Sequence, residues 1–362
     1  MEEGKKKRLP LWGKIVIAIL AVLLAAAGIC FAAFHYYYSK MNFDNGEDVV
    51  AGEEYFDQDE GIEDLQEIDP DQIQLDSADS VAQDQDVINI LVCGEEAIGG
   101  GRGRTDSIMI ATINQSDGAL RLTSIMRDTY VQIPGFSDNK INAAYHNGGM
   151  KTLIKTIKQN FGITVDGYVL VNFDSFQQVI DALGGIDITL AEDEVSYLNR
   201  TNYISEYSNR NMVVGVNHMN GNQALGYARI RYVQKDGQYG DFARTLRHRT
   251  VMTAIYDKLM DKSALELIVM VPKLMPLVTT NIEKDDLVEY IYKGVKVRSQ
   301  NPKLETLNVP VEGAYQITRV RSMSVILPAT LEKNVKKMQK FIYGSAYGKQ
   351  EATDGANITV GQ

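Results

Sequence analysis

The chain of 362 residues has two cysteines, four histidines and, between residues 41 and 86, not one lysine or arginine. Cys30 lies in an apolar run and Cys93 closes a β-like run, so the two do not read as a pair. That excludes a disulfide-stapled scaffold, though not an oxidising compartment. His35, His146, His218 and His248 are scattered, with neither HExxH nor Cys/His zinc spacing, which speaks against a zinc enzyme. No GxxxxGK[ST] loop is present, no GxGxxG opens a helix, and no GxSxG elbow supports a serine hydrolase. No helix-turn-helix pattern stands out. A formal charge of −10 also excludes a general nucleic-acid binder, which needs a basic face.

The charge that is present is uneven. Residues 1–40 are net +4, residues 41–86 carry 17 acidic side chains, and the remainder is net +3. Lys5–Arg8 precede Ile15–Phe34, twenty almost uninterrupted apolar residues followed by Tyr36, Tyr37 and Tyr38. At ~1.5 Å per residue such a helix spans about 30 Å, a bilayer core. The basic cluster favours a cytoplasmic N-terminus and the tyrosines an interfacial belt. A cleaved signal peptide is the alternative, but twenty residues exceed a ~7–15-residue signal core. The expected organisation is a cytoplasmic segment 1–14, a transmembrane anchor 15–38, an acidic extracytoplasmic linker 39–86 kept extended by self-repulsion, a domain 87–343 and a disordered tail 344–362. An acidic binding tail is the other reading of the linker.

At 44% hydrophobic residues the domain can bury a core. Val87–Val92 reads as a strand, and Ser107–Ile113 with Leu120–Ile125 as a hairpin around the turn-rich Asn114–Gly118. Met150–Phe161 has helical spacing; Tyr168–Phe173 and Ile186–Leu190 read as strands. Asp174–Leu183 reads as a helix capped by Asp174, and Asn220–Ala228 and Asp241–Met260 as further helices. Helices near 263–278, 284–298 and 329–342 and a strand at Leu304–Val309 complete the pattern. This predicts an α/β fold with a mixed central β-sheet packed between helices.

The arginines fall at unusual places. Arg102 and Arg104 lie in a Gly-rich loop, Arg127 follows the hairpin, and Arg229 and Arg231 are two apart. Arg244, Arg247 and Arg249 lie on the helix beginning at Asp241, where Asp241, Arg244 and His248 share a face, leaving Phe242, Leu246, Ile255 and Leu259 for burial. Guanidiniums that converge repel each other unless an anion is bound, and their forks match phosphate oxygens, so a phosphate or pyrophosphate is the expected ligand. The alternative is that each arginine pairs with its own surface carboxylate. Glu95, Glu96 and Asp106 lie at the ends of the first two strands, as Mg²⁺ ligands completed by substrate phosphates would. Solvated Glu96 and loop-capping Asp106 are the plainer reading.

In order, the stretches Asn89-Ile-Leu-Val-Cys-Gly94, Arg104-Thr-Asp-Ser107, Ser124-Ile-Met-Arg-Asp-Thr-Tyr130, Lys140-Ile-Asn-Ala-Ala-Tyr145, Val171-Asn-Phe173, Asp181-Ala-Leu-Gly-Gly185, Asn220-Gly-Asn-Gln-Ala-Leu225, Arg229-Ile-Arg231 and Asp241-Phe-Ala-Arg-Thr-Leu-Arg247 resemble the LytR-CpsA-Psr family over about residues 87–262. The resemblance implies a membrane-anchored phosphotransferase outside the cell membrane. Such an enzyme moves a glycopolymer (teichoic acid, capsule or similar) from a polyprenyl-pyrophosphate carrier to peptidoglycan through a phosphodiester. Carried over by motif, Arg127, Arg229, Arg231 and Arg244 would bind the pyrophosphate. Arg104 and His248 join them from the residue reading, and Glu96 with Asp106 would hold Mg²⁺, or Mn²⁺. Asp106, Arg127 and Asp241 are the catalytic candidates, with Asp106 or Asp241 as base.

The chain departs from the family pattern at Gly94-Glu95-Glu96, where Asp is usual, at Ala243, where Gly is common, and at His248, where Gln is common. Either glutamate is a candidate ligand, and a titrating His248 would make affinity pH-dependent. A lipid tail needs an apolar tunnel near helix 174–183, for which Phe173, Phe176 and Val179 are candidates alongside ordinary core. Two rivals are a pyrophosphatase with water as acceptor and a non-catalytic lipid-phosphate receptor or regulator.

Overall fold

The near-continuous apolar run Val87–Cys93, interrupted only by Asn89, is what a strand covered on both faces requires. The computed structural model places it at the centre of the domain. The structure describes residues 32–44, 54, 56–57, 65–78, 80–96, 102–263, 266–267, 270 and 273–347. In chain order the strands are β1 (Asn42–Phe43), β2 (Val87–Glu96), β3 (Arg104–Asn114), β4 (Ala119–Ile125), β5 (Tyr130–Val131), β6 (Asn139–Lys140), β7 (Gly167–Val171), β8 (Ile186–Leu190), β9 (Gly215–Met219), β10 (Thr279–Thr280), β11 (Leu304–Val309), β12 (Tyr315–Val320) and β13 (Met323–Pro328). The helices are α1 (Ile141–Phe161), α2 (Phe173–Ala182), α3 (Glu192–Arg200), α4 (Gly221–Ala228), α5 (Gly240–Met260), α6 (Lys284–Arg298) and α7 (Leu331–Tyr343).

Among the described residues, seven strands form a mixed sheet in the order β1-β10-β7-β2-β3-β4-β11. β2–β3–β4 is an antiparallel meander, while β7 joins β2 and β11 joins β4 in parallel. Alternation along β2 and β3 sorts the two faces. Leu91, Cys93, Ile108 and Ile110 pack with Leu153, Ile157, Phe161, Met338 and Ile342 of α1 and α7. Val92, Gly94 and Met109 turn instead towards α2, α4 and α5. Those helices close a second core with the antiparallel pair β8–β9, in which Ile180, Ile188, Met219, Tyr227 and Val251 are buried.

Several expectations are corrected. The segment 39–86 is not simply an extended spacer. Phe43 pairs with Thr280 at the sheet edge, Asp57 reaches Arg104 at 2.8 Å, and Ala82 is buried in the main core. Carboxylates with cationic partners on the domain repel one another less than a free chain does. The tail also begins packed, since Ser345 bonds Asp117 and Ala346 is buried. The cap of α2 is Asn172, whose side chain accepts from the Ser175 amide at 2.8 Å, not Asp174. The strand Ile186–Leu190 pairs outside the central sheet, α3 and the β12–β13 hairpin are additional elements, and Gly149 (φ +73°) kinks α1. Of the helix expected near 263–278, residues 266–267, 270 and 273–274 are helical and Met275–Leu277 is a 3-10 turn, while 264–265, 268–269 and 271–272 lie outside the described residues. On α5 the expected core positions Phe242, Leu246, Ile255 and Leu259 are only half-buried, while Arg244 and Arg247 are buried.

Most of the proposed anchor, including Cys30, lies outside the described residues. Its final residues, 32–38, are helical, and no described helix is long and apolar enough to cross a membrane. Cys93 is a free, buried thiol whose pKa burial pushes up.

Candidate active site

The site begins with a fault in a hairpin. Between β2 and β3 the register runs Gly94↔Ser107 and then Glu95↔Thr105, so Asp106 is the extra residue of a β-bulge. A bulge re-aims the side chain it carries. Glu95 ends on the α1 side, accepting from the Gly103 amide at 2.8 Å, with Tyr145 nearby. Glu96 and Asp106 both line a cavity of about 350 Å³ on the opposite face. Between the two glutamates, the structure sets Glu96 in the cavity.

Three cationic side chains from distant parts of the chain meet at Asp106. Arg127, in the turn after β4, donates from Nη1 to Oδ1 at 2.6 Å. Arg244, one turn into α5, donates to Oδ2 at 3.2 Å, and Arg231 lies 3.5 Å from the same oxygen. Asp241, at the start of α5, bonds Arg244 and lies 3.3 Å from Arg127 Nε. Arg229, the C-cap of α4, stands at the rim, 3.9 Å from Glu96 and 4.7 Å over the Phe173 ring. Arg229 takes an αR conformation there, so the pair Arg229/Arg231 is not displayed by an extended stretch. The arginines therefore share acids, and the reading in which each has a private surface carboxylate does not describe Arg127, Arg231 and Arg244.

This crowding shows in the ionisation of each group. Burial would raise Asp106, but Arg244 and Arg127, with a hydrogen bond from Glu96, hold it well below the usual carboxylate range. Burial, then the hydrogen bond and charge of Asp106, push Glu96 upward against the pull of Arg229 and Arg231. Burial works against charged Arg127, yet Asp128, Asp241 and Asp106 outweigh it and raise its pKa. Arg244 is lowered, by burial first, with repulsion from Arg127 and Arg231 working against Asp241 and Asp106. His248 is pushed down to about 3 by burial and then by Arg244, so it is neutral throughout the physiological range. Burial and the Arg244 charge thus work against the expected His248 pH switch.

Buried atoms at this centre lack hydrogen-bond partners: Nε of Arg127, Nε of Arg244 and Oδ2 of Asp241. Polar atoms buried in this state are costly unless a ligand completes them. The cavity continues from the charged end along Met109, Phe173, Phe176, Leu225, Val251 and Met252. A charged head with an apolar extension suits an amphiphile carrying phosphate. Phe173 and Phe176 thus line it, while Val179 is not among the lining residues.

Of the remaining expected residues, Arg104 opens β3, lines the cavity and pairs with Asp57, and His248 also lines the cavity. Arg102 instead lies over Tyr145, and Arg249 bonds Asn308 at 2.9 Å. The sequence reading missed Asp128, which Lys140 and Arg127 approach at 3.4 and 3.5 Å, and the tyrosines Tyr203 and Tyr232 at the rim. Asp128 directly follows Arg127, a signal that adjacency alone could have raised.

Among the described residues no three His, Cys, Asp or Glu side chains cluster as a metal cage. A Mg²⁺ ion needs less from the protein, taking one or two carboxylates and completing its shell with phosphates and water. Glu96 and Asp106 fit that role, since both line the cavity and the charge of Asp106 pushes the Glu96 pKa upward, a repulsion that a divalent cation between them would relieve.

The profile of the LytR_cpsA_psr family matches residues 52–340. Over 262 residues the chain is 30% identical to the regulatory protein MsrR of Staphylococcus aureus (strain Mu50), covering 70% of this chain and 74% of that protein. Over 238 residues it is 33% identical to TagV of Bacillus subtilis, named a polyisoprenyl-teichoic acid–peptidoglycan teichoic acid transferase, covering 63% of this chain and 57% of TagV. The crystal structure of B. subtilis TagV aligns with a TM-score of 0.58 at 29% identity, covering 72% of this chain and 98% of that one.

Proposed function

The chain belongs to the LytR-CpsA-Psr family, and from that premise we propose that it is a membrane-anchored phosphotransferase of the cell envelope. It takes a wall glycopolymer from a polyprenyl-pyrophosphate carrier and joins it to peptidoglycan through a phosphodiester. Its domain works outside the membrane, and residues 15–38 anchor it with the N-terminus in the cytoplasm. The observation that carries this reading is the convergence of Arg127, Arg231 and Arg244 on Asp106 beside an apolar cavity. The name borne by TagV, at 33% identity, supports glycopolymer transfer as the chemistry.

In this mechanism a sugar hydroxyl of peptidoglycan attacks the phosphorus nearest the glycan. The P–O bond to the polyprenyl phosphate breaks, and the lipid phosphate leaves with the electron pair. Arg127, Arg231 and Arg244 are preorganised to stabilise the charge that grows on the phosphoryl and departing oxygens. Asp106, held low by its arginines, is a poor base. Asp241 keeps Oδ2 unbonded and is the better acceptor for the hydroxyl proton. Glu96 and Asp106 would hold Mg²⁺ or Mn²⁺, which when bound neutralises and polarises the pyrophosphate. Phe173 and Phe176 lie along the path of the lipid tail.

The test is reconstitution of the full chain with a lipid-linked glycan, peptidoglycan and Mg²⁺, followed by analysis for the new phosphodiester. Its formation, and its loss with chelator or Asp106→Asn, is the expected result. Release of phosphorylated glycan to water alone would establish the pyrophosphatase reading instead. The name of MsrR, a regulatory protein, favours a regulator as the second reading, and tight binding of the lipid phosphate without any turnover would select it.

A further inference from the structure

At the rim of the cavity, Tyr232 is 77% exposed although it is a lining residue. Tyr232 lies midway between Ile230 and Gln234, whose carbonyls accept from Arg247 at 3.3 and 3.1 Å. Arg247 is fully buried and bonds Glu194, equally buried, at 3.0 Å. Ile230 is buried beneath the same turn. The turn is thus fixed from inside while the tyrosine ring stands in water. Folding gains little from a large ring left in solvent, whereas a ligand that covers it meets a backbone already fixed. Tyr203 lines the same rim, edge-on to Tyr197 at 5.1 Å, and the Arg229 guanidinium lies 5.7 Å over its ring. Beside them Arg229 and Arg231 keep 42% and 35% of their side chains exposed, unlike Arg127 and Arg244 at 9% and 3%.

We propose that Tyr203 and Tyr232 form a platform for a pyranose ring, with Arg229 and Arg231 holding the reacting phosphate beside that sugar. The C–H face of a pyranose is apolar and packs on an aromatic ring, while its hydroxyls reach the adjoining guanidiniums. The platform rests on the transferase reading and adds to it the place of the sugar next to the reacting phosphate. The same ring chemistry can come from the first sugar of the lipid-linked donor or from a sugar of the peptidoglycan acceptor.

The experiment uses the full chain with three probes: bare polyprenyl pyrophosphate, the same lipid bearing one N-acetylhexosamine, and soluble peptidoglycan fragments. Tyr232→Ala weakens the sugar-bearing lipid about 5- to 20-fold and the bare lipid less than about 2-fold. Tyr232→Phe, which keeps the ring, stays within about 2-fold of the parent on every probe. Tyr207→Ala is the control, because Tyr207 is 82% exposed yet does not line the cavity. If donor binding is unmoved and the KM for the acceptor rises instead, the platform stands and its sugar is the acceptor's. Equal losses on bare and sugar-bearing lipid, or no change on donor and acceptor alike, overturn it. A parent that binds neither lipid removes the transferase reading and the platform together, whereas a parent that binds both while Tyr232→Ala changes nothing removes the platform alone.

Discussion

Arg244 and Arg247 lie one turn apart on α5, and both are buried, yet they end in opposite situations. Arg247 is complete. Its Nε meets Glu194, and its two terminal nitrogens meet the carbonyls of Ile230 and Gln234. Arg244 shares Asp106 with Arg127 and Arg231, shares Asp241 with Arg127, and leaves its Nε unbonded. A guanidinium whose hydrogen bonds are closed holds structure together. One packed against other cations, with bonds left open, is poised for an anion that comes from outside. Burial does not separate the two roles, but saturation does.

That contrast can be broken most directly by removing each side chain. Arg247→Ala takes from fully buried Glu194 its 3.0 Å partner, leaving Lys235 at 3.7 Å and the Ala191 amide, and frees the carbonyls of Ile230 and Gln234, so it is expected to lower unfolding free energy by about 3–5 kcal/mol. Arg244→Ala strands no acid, because Arg127 still serves Asp106 and Asp241, and its loss should be under about half of that. Denaturant titration of both variants measures the difference, and equal losses would erase the distinction. Next in size is chemistry: Asp106→Asn should cut kcat by about 100- to 1000-fold, since preorganised charge is lost, and should also lower the melting temperature at pH 7, since the ionised carboxylate that Arg244 and Arg127 stabilise is gone.

A smaller effect reports the coupled acids. The folded-state pKa of Glu96 is raised, so its contribution to stability is full below its unfolded value and is lost as pH rises through the folded one. Asp106, which is lowered, contributes above its unfolded value and loses that contribution as pH falls through the folded one. Glu96→Gln cannot deprotonate. In metal-free buffer it should melt above the parent at pH 7.5, with the gap closing towards pH 4. A gap independent of pH would mean that the two carboxyls are not coupled. Smallest of all, His248→Gln should reproduce the parental pH–rate profile from pH 5 to 8, because a histidine held at about 3 carries no charge there. A profile displaced within that range would restore the switch expected from sequence.

Much of this was legible beforehand for local reasons. The hairpin β3–β4 was announced by two β-like runs flanking a turn-rich Asn114–Gly118, and α4 by the helical stretch Asn220–Ala228. The β12–β13 hairpin was hidden because its two-residue turn is Arg321-Ser322, both at positive φ, where glycine or asparagine normally gives the turn away. The acidic segment read as a free spacer because repulsion is visible in one sequence window, whereas Asp57 finds Arg104 and Lys140 only across the fold. Arg104, Arg127, Arg229, Arg231 and Arg244 were all picked out by position, but so were Arg102 and Arg249, which go elsewhere.

By itself the amino-acid order determined the alternation of strands and helices, the family and the chemical types at the site, because periodicity, caps and motifs are properties of neighbours in the chain. Which guanidiniums share an acid was decided only by the tertiary structure. So were the turning of Glu96 rather than Glu95 into the cavity, the re-aiming of Asp106 by a bulge and the open hydrogen bonds of Arg244 beside the closed ones of Arg247. Charge coupling, burial and saturation depend on distances between residues far apart in sequence, and the packing of sheet against helices sets those distances.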